Sequence, residues 1–103
     1  MDLILKTNEM ASYSLILGNQ ALIDISRQNY PEAWKSLENA LKTAEDNNYY
    51  DAMGNAYINA VRLYGEQGQK QKALSWYEKA DALIKKKNMN DFVIPLKECS
   101  RFL

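Results

Sequence analysis

Histidine is absent from the 103 residues, which removes the commonest general base and the commonest metal ligand. Cys99 is the one cysteine, so neither an internal disulfide nor a thiolate zinc cage can form. A lone thiol fits a reducing compartment. Net charge is lacking too: thirteen basic residues cancel thirteen acidic ones, leaving no overall pull toward nucleic acid or anionic lipid. Long hydrophobic runs are missing. The opening MDLILKTNEM has three consecutive apolar residues beside Asp2, far short of a signal-peptide core, and no later run could span a bilayer. Glycine is scarce, and GEQG (65–68) is too short for a phosphate loop. Asp46 and Asp51 lack metal-ligand spacing. Without histidine to activate it, Cys99 reads as a buried structural thiol. These absences set the expectation of a cytoplasmic protein that is not an enzyme, takes no cofactor or metal, and has no nucleic-acid or membrane partner.

What is present is helical. Only two prolines and four glycines interrupt apolar positions that recur every three or four residues, with no sustained alternation that would suggest strands. A first helix is expected over roughly 9–28, carrying Tyr13, Leu17 and Ala21. Pro31 then opens a second helix, where its missing N–H costs nothing, and the stripe Ala33, Leu37, Ala40, Leu41 and Ala44 carries it to about Asp46. EDNN (45–48) is the next connection. Met53, Ala56, Tyr57, Ala60, Val61 and Tyr64 stripe a third helix, which stops between Gly65 and Gly68. A fourth carries Ala73, Tyr77, Ala80 and Ile84, and its closing Lys85–Lys87 oppose the negative end of the helix dipole. NMNDFVIPLKECSRFL again looks helical. Proline suits only a first turn, which sets a start at Pro95 against one near Asn88.

Sliding the chain by forty residues pairs Ala33 with Ala73, Glu38 with Glu78 and Ala40 with Ala80. The same shift pairs Asn19 with Asn59, Asn48 with Asn88, and Leu63 with Leu103. LILKT (3–7) also echoes ALKT (40–43), as if it were the tail of an earlier second helix. The repeating unit is a helix, a tight turn and a second helix. Two antiparallel helices approach closely only where small side chains face each other, and the alanine pairs, two turns apart, supply that notch. Tyr77 fills the adjoining space, and Gly68 permits the turn's backbone.

The order Tyr57, Ala60, Tyr64, Gly68, Ala73, Tyr77 and Ala80 resembles the tetratricopeptide repeat. Leu17, Tyr30, Ala33, Leu37 and Ala40 follow it in a first copy, with Asp24 in place of the tyrosine and Gln28 in place of the glycine. Lys85 stands where the family commonly has proline. The long period resembles the extended-helix variant of bacterial peptide-sensing regulators. The resemblance implies an all-α fold of antiparallel hairpins stacked as a short right-handed solenoid. It implies one domain over 1–103, with repeats at 10–47 and 48–87 and a partial or capping helix at 90–103.

Such arrays bind through a concave face lined by the first helix of each pair. The family's groove positions fall on Leu15, Gly18, Asn19, Leu22 and Ser26, and on Asn55, Ile58, Asn59, Arg62 and Glu66. By resemblance Asn19 and Asn59 would hold the backbone of an extended peptide, since a side-chain amide both donates and accepts. Arg62 would take a carboxylate. The resemblance thus implies a non-catalytic scaffold for a protein or peptide partner. Self-assembly into a homo-oligomer through exposed repeat ends, or a sensory part of a larger signalling protein, is the alternative. Trp34 and Trp76, each beside a core stripe, are expected to pack between repeats, and Tyr49 and Tyr50 to staple a helix start.

Overall fold

The computed structural model describes residues 2–103, with side chains from Ser12 onward. Four long helices run in order: α1 (Asp2–Ser26), α2 (Tyr30–Asn47), α3 (Tyr50–Glu66) and α4 (Lys70–Lys87). A short α5 (Val93–Glu98) follows between 3₁₀ turns at Asn90–Phe92 and Cys99–Phe102. Consecutive helices pack as antiparallel hairpins, α1 with α2 and α3 with α4, and α3 joins the two pairs. The molecule measures 45 × 30 × 18 Å, and its thin dimension is that of two packed helices.

Three boundaries differ from those expected. Residues 3–7 are the first turns of α1 and not the tail of a separate helix, because no proline or glycine interrupts the chain before Gly18. EDNN is mostly helix: α2 runs through Asn47, whose Nδ2 donates to the Thr43 carbonyl, and the chain turns on Asn48. The last helix starts at Val93, so Pro95 stands third in it. That position is still within the turn whose N–H groups have no partner inside the helix.

All four interhelical turns are built alike. Gln28 and Gly68, forty positions apart, take φ of 64° and 74°, and Asn48 and Asn88 take 56° and 54°. After each, one N–H reaches the carbonyl five residues back: Asn29 to Asp24, Tyr49 to Ala44, Gln69 to Tyr64, and Met89 to Ile84. This is the closure of a helix ending in a left-handed residue. Gln28 holds that conformation with a Cβ that glycine lacks. Gln28→Gly is therefore expected to raise stability by about 0.5–1 kcal/mol, net of glycine's extra entropy in the unfolded chain. A thermal melt with no upward shift would refute the equivalence of the two turns.

The alanine notches are closed. Ala33, Ala40, Ala73 and Ala80 expose no surface, and neither does Leu37. One cluster joins Ala21 and Ile25 of α1 and Ala33, Leu37 and Leu41 of α2 to Ala56, Ala60 and Leu63 of α3. A second joins Ile58 and Val61 to Ala73, Ala80 and Ile84, and continues into Met89, Leu96 and Cys99 of the C-terminal segment. Tyr57, Tyr64 and Tyr77 flank these clusters half-buried. Trp34 and Trp76 do pack between the hairpins. Their rings lie 6.4 Å apart, with Tyr64 5.6 Å from Trp34 and Tyr57 5.6 Å from Trp76. Tyr49 caps α3 and packs on Ala44, Ala52 and Met53, while Tyr50 is its first residue.

Buried polar groups tie the layers. Ser14 Oγ donates to the Ala40 carbonyl at 2.8 Å inside the first hairpin. Asn59 Nδ2 donates to the Gly18 carbonyl at 3.0 Å between hairpins, and the Cys99 thiol points at the Ile58 carbonyl, 4.0 Å away. The last two pairs have the same sequence separation, so one register links each layer to the next. No helix among the described residues is long and apolar enough to cross a membrane.

Candidate functional site

The first helices α1 and α3 lie side by side and, with the C-terminal segment, line a cavity of about 490 Å³. α1 supplies Leu22, Ile23, Ile25 and Ser26, and the turn after it supplies Gln28 and Tyr30. α3 supplies Arg62 and Glu66 from its last turns, and Arg101 enters from the C-terminal end. Arg62, half-buried, also lines a smaller adjoining cavity with Glu98, Cys99, Arg101 and Phe102.

The electrostatics favour a negative guest. Neither Arg62 nor Arg101 has a carboxylate at ion-pairing distance among the described residues, where the two salt bridges are Lys35–Glu32 and Lys85–Asp81. Glu66 is the one acidic wall of the larger cavity, against two guanidiniums. The Arg62 guanidinium lines the smaller cavity beside the Cys99 thiol, where its charge favours the ionised sulfur. Burial pushes that thiol's pKa up, and the Arg62 contact opposes the shift without reversing it. At neutral pH the thiol is thus protonated and a poor nucleophile. Leu22, Ile25 and Tyr30 give the cavity an apolar side.

The residues expected in the groove divide into three groups. Leu22, Ser26, Arg62 and Glu66 meet at the cavity. Leu15 and Asn19 are exposed on α1; Leu15 borders a second cleft with Tyr49, Tyr50, Asp51 and Ala52 at the opposite end of the helices. The others lie inside the fold. Asn59 is 3% exposed and its amide is bonded to Gly18, so it fastens α3 to α1. Asn55 is half-buried over Gly18, where an added Cβ would come within 2.6 Å of its amide nitrogen. Gly18 is there because the two helices approach so closely. Ile58 belongs to the second core cluster. The spacing of Asn55, Asn59, Arg62 and Glu66 does describe one ridge, but its first half faces α1 and only its second half faces solvent.

Ile23, Ile25, Gln28, Tyr30 and Arg101 are cavity residues that the groove register omits. Tyr30 sits on a second helix, and Arg101 lies past the second hairpin. The repeat assigns neither position to the groove. The basic flank of α4 is largely engaged: Lys72 lies over Tyr64, Lys79 over Trp76 and Lys87 over Tyr50, and Lys85 pairs with Asp81. No group of three or more histidine, cysteine or acidic side chains among the described residues could hold a metal ion.

Residues 12–86 match the family model of the tetratricopeptide repeat. Among curated proteins and solved structures, no match was found.

Proposed function

Because the chain belongs to the tetratricopeptide repeat family, whose repeats are generally protein-interaction modules, we propose that it is a non-catalytic scaffold binding an extended protein or peptide segment. The segment lies across α1 and α3 and places a carboxylate between Arg62 and Arg101. The observation that carries this reading is the pair of guanidiniums left without an acidic partner in a cavity with an apolar wall. A guanidinium presents a planar fork of donors to a carboxylate, and partial removal from water strengthens the contact. Leu22 and Tyr30 take an apolar neighbour of that carboxylate. Asn19, exposed on the same side of α1, bonds the backbone of the segment. Asn59 is not available for that role, since its amide is spent on Gly18.

Panning a random-peptide phage library on the immobilised chain tests the reading. The retrieved peptides are expected to share a carboxylate beside an apolar residue. Arg62→Gln or Arg101→Gln should weaken them about tenfold or more, the worth of one charge-assisted hydrogen bond. Peptides that bind both variants as well as the parent, or an empty selection, would overturn it.

A further inference from the structure

The exposed side of α1 carries a pattern that the core does not account for, and of which the cavity takes only the C-terminal end, Leu22, Ile23 and Ser26. Residues 12–23 contain no charged side chain, although much of this helix faces water. Ile16 is 62% exposed and Ile23 44%, with Leu15 and Leu22 beside them. At the helical period, Ser12, Leu15, Ile16, Asn19, Leu22, Ile23 and Ser26 fall within an arc of about 120°. Read outward from Asn19, the stripe is nearly its own reverse. Leu15 and Ile16 lie four and three residues before it, Leu22 and Ile23 three and four after, and Ser12 and Ser26 seven to either side.

Two-fold symmetry places residue 19 + n of one helix against 19 − n of an antiparallel copy. On this stripe that sets Ile16 against Leu22, Leu15 against Ile23, and Ser12 against Ser26. Asn19 meets its own copy at the axis, where an amide, both donor and acceptor, satisfies itself. No like charges are brought together. The repeat register also marks the face as one that this fold covers. Ile16, Asn19 and Ile23 precede by forty positions Ala56, Asn59 and Leu63, all buried where α3 meets the first hairpin.

We infer that α1 is a homotypic docking face, on which a second copy of this chain packs its own α1 antiparallel about a two-fold axis at Asn19. The occupant is fixed by the self-complementary order of the stripe and by its lack of charge. The stripe from Ser12 to Ser26 is about 22 Å of a single helix, a narrow contact beside the roughly 800 Å² per partner of stable complexes, so monomer and dimer are expected to exchange in solution.

Sedimentation equilibrium of the whole chain, from micromolar to millimolar, is the test. The parent chain is expected to shift from monomer to dimer over that range. Ile16→Glu and Leu22→Lys should each weaken the dimer about tenfold or more, since each buries an unpaired charge twice. Their equimolar mixture should recover association, because Glu at 16 then meets Lys at 22 while the other end keeps its apolar pair. A parallel pairing would give no such recovery. Asn19→Asp, almost isosteric, should weaken the dimer near neutral pH by setting two carboxylates at the axis. All three positions are exposed, so thermal midpoints of dilute samples should match the parent. A parent chain that stays monomeric at every concentration overturns the inference and leaves the face to a different polypeptide. So does a mixture that fails to recover. Ile16 lies outside the Arg62 cavity, so peptide binding by Ile16→Glu separates this result from the fate of the proposed function.

Discussion

Leu37→Ala is expected to cost about 2–5 kcal/mol, the range for deleting a buried leucine side chain in a core that cannot fully collapse. Leu37 exposes no surface and sits in the cluster shared by α1, α2 and α3. Its neighbours include Ala21, Ala33, Ala56 and Ala60, which have no longer side chain to swing into the space. The cavity therefore stays open, which places the cost in the upper part of the range. Urea unfolding followed by far-ultraviolet circular dichroism measures it directly. At about 0.05–0.15 kcal/mol per residue for an ordinary chain, such a loss is a large share of the total stability. A midpoint unchanged from the parent would show that the first hairpin is not held by this stripe.

Ala73→Leu tests the opposite error, excess volume. Ala73 exposes no surface where α4 closes on α3, and its cluster includes Ile58, Val61 and Ala80. A leucine there must push the helices apart or leave its preferred rotamer, at about 1–3 kcal/mol. The hairpin is expected to open at α3–α4 while α1–α2 keeps its packing. Amide exchange should then quicken in α4 and the C-terminal segment before it quickens in α2. Uniform loss of protection would refute separate hairpin packing. An unchanged melting temperature would refute the alanine notch itself.

The notch was legible in the sequence because packing of paired helices leaves a periodic record. Ala33, Leu37 and Ala40 recur as Ala73, Tyr77 and Ala80, and small side chains at such a spacing have few other uses. Helix ends were less legible. Asn48 turns the chain by adopting a left-handed conformation, and nothing in EDNN says which of two asparagines will do so. The site was half legible. Arg62 and Glu66 follow from the groove register, but so would Asn59, and side-chain polarity alone does not say whether an amide meets water or the backbone of the adjacent helix. Gly18 held that answer. A glycine on the inner side of α1 brings α3 close enough for the amides of Asn55 and Asn59 to crowd against it. Arg101 left no periodic trace, since it reaches the cavity from a segment outside both hairpins.

The two tryptophans touch each other across the join between hairpins, one on α2 and one on α4. The chain has no others, so its indole spectrum is a local gauge. Near-ultraviolet dichroism and emission colour respond to the seam where one hairpin stacks on its neighbour. Far-ultraviolet bands follow helix content wherever it lies. A chain whose hairpins have slid apart while each stays intact would thus darken one optical window and leave the other bright.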